Sequence, residues 1–257
     1  MSSFFCSFST CYGLYNGNPS SPEMPENGCC FPNDYFLGIK AGYLGDLVFS
    51  RSMVVRSRHT EASNEISSFK SVMNAGMITL DFMNRVDLYT AIGSYHLQLS
   101  QRTGPDSRIH YKSDHHLAGM AGLKGILVCW GDTQLGLDVK GFVSYPHLDS
   151  IRFNDSYVDT GNSKCRDTQW QIGTGLSQRM DWFIPYIGVT YTHSRLKLYS
   201  LSSLQEFYPR KNVLLSNKYS FGFVLGFGIS LDSTLAVNVE ARVIEETAGS
   251  CSVDFRF

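Results

Sequence analysis

Apolar and polar positions alternate with period two along most of the chain, most cleanly near its C-terminal end. From 219 to 231 every odd position is apolar (Tyr219, Phe221, Phe223, Leu225, Phe227, Ile229, Leu231), opposite Ser220, Gly222, Val224, Gly226, Gly228 and Ser230. Successive side chains of a strand point to opposite faces, so this segment is a strand with two chemically different faces. After the turn Asp232-Ser233-Thr234 the pattern resumes, with Leu235, Val237, Val239, Ala241 and Val243 opposite Asn238, Glu240 and Arg242. Earlier runs behave alike: Leu37, Ile39, Ala41, Tyr43, Leu47 and Phe49 oppose Lys40, Gly42, Asp46 and Ser50. Similar alternation marks Leu135–Tyr145, Trp170–Leu176 and Ile187–Tyr191.

Ten strands are predicted, at 37–50, 70–82, 86–99, 117–130, 135–145, 168–178, 184–198, 219–231, 235–245 and 250–257. Their connections alternate. Those at 83–85, 131–133, 179–183 and 232–234 are short; 51–69, 100–116, 146–167 and 199–218 are long and polar; the last, at 246–249, is brief. Short turns at one end and long loops at the other are the habit of outer-membrane barrels, and an even strand count returns both ends of the sheet to the short-turn side. A hairpin hidden in 51–69 or 146–167 would raise the count to twelve. The second face is rich in Gly, Ser and Thr rather than Lys and Glu, which suits a crowded lumen better than a solvated exterior. Trp130, Trp182 and Phe183 beside short turns suit an interfacial girdle. The expected fold is therefore all-β: a closed antiparallel transmembrane barrel of 10–12 strands over 36–257, preceded by a signal-like segment and loop over 1–35.

Composition narrows the field further. Hydrophobic residues make up 43% of the 257, enough for a large core and against intrinsic disorder. No window approaches the ~20 consecutive apolar residues of a spanning helix. The net charge of −1 offers no field to steer nucleic acid. By parity the inward-facing charges are Lys40, Asp46, Asp138, Lys140, Glu240, Arg242, Asp254 and Arg256, the pore-lining candidates, with acids and bases balanced. Glu240 and Arg242, two apart on one face, could equally pair with each other.

The opening MSSFFCSFSTCYGLY is apolar and small like the tail of a secretory signal, yet the first basic residue is Lys40. It is either such a tail or ordinary structure. The stretch 16–28 reads as loop from its Pro, Gly, Ser and Asn content. Seven cysteines lack the C-x2-C spacing of a zinc site, and no cofactor or metal motif is present.

Several segments resemble the major outer-membrane porin family of chlamydiae. VNVEARVIEETAGSCSVDFRF (237–257) looks like that family's closing segment, with Glu240, Arg242 and the terminal Phe-Arg-Phe. TQWQ (168–171) followed by RMDWFIPYIGV (179–189), NAGMITLDFMNRVDLYTAIGS (74–94), Gly17-Asn18-Pro19 and FLGIKAGYLGDLVFSR (36–51) are similar to further blocks, in the right order. The resemblance implies a porin of the bacterial outer membrane, often trimeric, that passes small solutes and ions and meets outer-membrane lipid. Phe255 and Phe257 would serve as the signal read by the barrel-assembly machinery. Disulfide links to other envelope proteins are implied too, with Cys29, Cys30, Cys129, Cys165 and Cys251 as candidates. The chain is short for the family, its loops look trimmed and its cysteines are sparse.

Ten strands lie near the closed end of the size range, since eight already fill with side chains and sixteen leave a channel. A narrow or plugged barrel, acting as a structural or surface-interaction protein (adhesin or antigen), is therefore the alternative. An enzyme is not expected. Asp114-His115-His116 lies where a long loop meets a strand, with Asp132 or His147 as conceivable partners, but adjacent histidines face opposite ways and no G-x-S-x-G elbow is present. A soluble ligand-carrying barrel would place the apolar face inside.

Overall fold

The computed structural model describes residues 14–24, 36–56, 66–103, 107–154, 156–161, 163–201, 212–231 and 234–257. Ten long strands form the wall: β1 (Leu37–Arg51), β3 (Ile66–Phe82), β4 (Val86–Arg102), β6 (His116–Trp130), β7 (Thr133–Ser144), β10 (Lys164–Gln178), β11 (Phe183–Tyr199), β13 (Phe221–Leu231), β14 (Leu235–Val243) and β15 (Glu246–Arg256). Each pairs antiparallel with its neighbours in the order β3-β1-β15-β14-β13-β11-β10-β7-β6-β4, and β4 pairs back to β3. The sheet thus closes as a ten-stranded barrel, which leaves the wall without an edge and pairs its backbone internally.

Parity is as the alternation dictates. Along β11 the outward side chains run Phe183, Pro185, Ile187, Val189 and Tyr191, then turn polar at His193, Arg195 and Lys197. The apolar stretch from Phe183 to Tyr191 is nine residues, the length a tilted strand needs to cross a bilayer (about 9–11). Ile39, Leu47, Ile92, Leu123, Ile172, Leu225 and Val239 continue this exposed belt around the barrel. Polar atoms within it are satisfied locally: the Tyr43 hydroxyl donates to Asn74 Oδ1 at 2.5 Å, and Thr174 Oγ1 donates to the Gly136 carbonyl at 3.0 Å. An apolar belt outside and charge inside are the inverse of a soluble barrel. The chain is a transmembrane β-barrel.

The strands outgrow the belt at the long-loop end. There β2 (Met53–Val55) and β12 (Val213–Asn217) continue the ladder from β11, while β5 (Arg108–Ser113), β8 (Leu148–Phe153) and β9 (Ser156–Val158) hang in sequence from β4. The segment 146–167 does contain a hairpin, β8–β9, but it extends the rim and does not enter the wall, so the count stays at ten. The last connection is only 244–245 rather than 246–249, because β15 starts at Glu246. The interior at this end is apolar, not polar: Phe69, Leu97, Leu99, Tyr111, Ile151 and Leu198 pack across it. Tyr95 and Phe142 meet edge to face, ring centres 5.1 Å apart.

Candidate functional site

All eight charges assigned to the inner face by parity lie there, each at most 8% exposed. Among the described residues they lie against a lumen segment and against one another. Residues 14–24 lie inside the barrel, descending from mid-lumen at Leu14 to the short-turn end at Met24, and inward side chains of the wall hold the segment's backbone. The loop reading of 16–28 is thus refined where it is described: residues 16–20 have no regular structure and Ser21–Glu23 make one 3-10 turn closed by bonds within the segment, while Asn16 N, Gly17 N and the Tyr15, Ser21 and Pro22 carbonyls meet lumen side chains.

Gln171 pairs with Leu14 in both directions, its Oε1 accepting from Leu14 N at 2.6 Å and its amide donating to Leu14 O at 2.9 Å. The Glu240 carboxylate takes two consecutive backbone donors, Asn16 N and Gly17 N, each at 2.8 Å. Gly17 has φ +75°, so the successive N–H groups can converge on one anion as in a backbone nest. Tyr186 also donates to Glu240, at 3.0 Å. Lys140 donates to the Tyr15 carbonyl and pairs with Asp138 at 2.5 Å. Nearer the short-turn end, Lys40 Nζ donates to Ser21 O at 2.9 Å and to Asp87 at 3.0 Å.

Two wall glycines leave the room this segment occupies. A Cβ at Gly136 would sit 2.9 Å from Pro19 Cβ, and one at Gly173 would overlap Asn16 Oδ1. Beside the segment remains a cavity of about 30 Å³ bordered by Tyr15, Lys40, Asp87, Tyr89, Lys124 and Asp254. That volume suits a water or two, not a hydrated ion in transit.

Above the plug the charges pair with one another. Arg242 contacts Asp46 at 2.6 Å, Glu240 at 3.1 Å and Glu246 at 2.5 Å. Arg51 lies 3.6 Å from Glu246 and donates to Gln169 at 3.0 Å. Below, Arg256 and Lys40 share Asp81 at 3.3 and 3.4 Å. Lys40, Asp46, Asp138, Lys140, Glu240, Arg242, Asp254 and Arg256 thus face inward, as alternation implies. Asp81, Asp87, Tyr186 and Glu246 meet them from other strands, and Gln171 meets the lumen segment, which alternation along one strand does not reveal. Glu245, in the connection between β14 and β15, is 3% exposed, and burial together with Glu246 pushes its carboxyl up to about 10.

Of the remaining candidates, Cys129, Cys165 and Cys251 are free thiols. Cys165 is buried and Cys251 faces outward within the apolar belt, whereas Cys29 and Cys30 lie outside the described residues. Phe255 and Phe257 meet edge to face at 5.2 Å, and Phe257 N donates to Ile39 O at 3.0 Å. Trp130 and Trp182 stand exposed at the short-turn rim, as the girdle expectation requires. His115 and His116 do face apart: His115 stacks on His96, and His116 meets His147. Asp132 lies in the turn between β6 and β7 at the opposite end of the barrel and cannot partner them.

No family model matches the chain, and no curated protein does. Solved structures with similar folds include the outer membrane protease OmpT from Escherichia coli, at 14% identity over 86% of this chain and 91% of that one, TM-score 0.37. The outer membrane protein OprG from Pseudomonas aeruginosa matches at 8% identity over 91% and 99%, TM-score 0.41. The toluene transporter TbuX from Ralstonia pickettii matches at 9% identity over 93% and 92%, TM-score 0.35. These likenesses say nothing about activity.

Proposed function

We propose that the chain resides in a bacterial outer membrane as a closed barrel, a structural and surface-presenting envelope protein without a standing channel. One observation carries this reading: residues 14–24 occupy the lower lumen and are hydrogen-bonded to inward side chains of β1, β7, β10 and β14. The apolar core at the loop-side mouth supports it, because a conducting mouth would be wet and polar. On the sequence resemblance we place the chain as a small, divergent member of the chlamydial major outer-membrane porin family. Outer-membrane lipid, the barrel-assembly machinery, a trimeric state and disulfide links through Cys29 or Cys30 belong to the same proposal.

A porin is the second reading. What favours it is the charge inside the wall: a purely structural barrel needs no lumen lined along its height by buried acids and bases such as Lys40, Asp81, Asp138, Lys140, Glu240 and Arg242, and the plug is held by polar contacts that water could replace. Planar-bilayer recording separates the two. The full chain, refolded in detergent and verified by heat-modifiable migration, should give no stepwise openings. Reproducible single-channel steps at several salt concentrations would overturn the closed-barrel reading in favour of the porin.

A further inference from the structure

We propose that Asp114, His116 and His147 form a binding site for a divalent transition-metal cation on the loop-side rim. One ligand atom from each lies within 4.8 Å of the others. Zinc holds imidazole nitrogen and carboxylate oxygen at about 2.0–2.2 Å, which sets tetrahedral ligand atoms about 3.4 Å apart. Binding would draw these atoms together from their present separations of up to 4.8 Å.

The backbone under the site is already fixed. Asp114 N donates to His147 O at 3.2 Å, and His147 N donates to Asp114 Oδ1 at 3.2 Å. On its other side His147 makes an antiparallel bridge to Lys164. An arriving cation therefore orders side chains and not loops. The His147 N–H also holds one Asp114 oxygen and orients the carboxylate, a second contact of the kind that tunes metal ligands. The imidazoles of His116 and His147 meet edge to face with centres 5.3 Å apart. His115 takes no part, since its ring stacks on His96 and its Nδ1 meets Ser94 Oγ. Lys164 opposes a cation, but it is exposed and its ammonium can stay in water.

Two imidazoles and one carboxylate suit zinc, nickel or copper and not magnesium or calcium, which prefer oxygen alone. Three protein ligands leave a further position for water or an external group. Bound metal would tie the corner between β5 and β6 to the lead into β8, bracing the rim extension. The site stands on its own geometry, whether or not the lumen conducts.

The test is zinc binding to the refolded full chain in detergent, measured by equilibrium dialysis and titration calorimetry. Wild type should hold one equivalent more than His116→Ala/His147→Ala, and each single substitution, or Asp114→Asn, should weaken that equivalent at least about tenfold. His193→Ala, whose ring packs on Trp170 away from the site, should retain it. Cobalt bound to wild type gives a readout independent of any variant's folding: its visible spectrum should report nitrogen and oxygen ligands without thiolate charge transfer. Equal zinc in wild type and the double variant, or a cobalt spectrum dominated by thiolate, would overturn the proposal.

Discussion

Glu245 illustrates what the closed interior does to a single side chain. Its Oε2 has no hydrogen-bond partner, and a Cβ added at Gly222 would come within 3.2 Å of it. With Glu246 adjacent and the carboxyl pushed up to about 10, the residue is neutral at pH 7. In the unfolded chain it titrates near 4.5, so between these values the folded protein holds a proton that the unfolded chain has released. The resulting stabilisation is complete below the unfolded value and is lost as pH climbs toward the folded one. Glu245→Gln, isosteric with the neutral acid, should match wild type in urea unfolding near pH 4. It should then gain on wild type as pH rises, by up to about 1.4 kcal/mol per pH unit. Parallel stability profiles from pH 4 to 10 would show that the carboxyl is not held neutral.

Among the elements, the lumen segment depends most on one distant residue. Glu240 satisfies two of its N–H groups and also contacts Arg242, which keeps Asp46 and Glu246 if Glu240 is lost. Asn18 is fully buried in the plug. In a cysteine-free background, Asn18→Cys should resist a hydrophilic maleimide in the folded barrel. Adding Glu240→Ala should open it to labelling and destabilise the barrel, because Asn16 N, Gly17 N and the Tyr186 hydroxyl each lose a buried acceptor at about 1–3 kcal/mol apiece. Rapid labelling of the single variant would place the segment outside the lumen. The plug was not legible in the sequence because Asn, Gly, Pro and Ser carry no periodicity; they read as loop whether water or a barrel wall surrounds them. Strands were legible wherever one face was apolar and the other small. The start of β15 was misplaced because its outward residues there, Thr247 and Gly249, are not apolar, so alternation shows only from Val253. The apolar mouth is hidden for a different reason. Along β4 the faces exchange polarity, outward Leu88 and Ile92 giving way to His96, Gln98 and Ser100 while inward Leu97 and Leu99 become the apolar positions. One parity carried along the whole strand mislabels that end.

For the molecule as a whole, the placement of its three tryptophans follows from closure and can be read from outside. Trp130 and Trp182 are exposed at the short-turn rim, where β6 ends and β11 is about to begin. Trp170 faces outward from β10 opposite His193 of β11, just above the last apolar outward position of that strand, Tyr191, whose ring it meets at 5.5 Å. All three therefore sit at the two edges of the belt and none at its centre, as amphipathic indole rings prefer at a membrane interface. In vesicles containing brominated lipids, tryptophan emission should be quenched strongly by bromines near the headgroups and weakly by bromines near the acyl-chain ends. Trp170→Phe should remove the contribution of one edge and leave that of the other, so depth profiles of the variant and of wild type should both stay shallow. A soluble barrel with its apolar face inward would show no quenching at any depth. A profile peaking at the bilayer centre would mean that the belt is displaced along the barrel axis, and with it the rim that carries Asp114, His116 and His147.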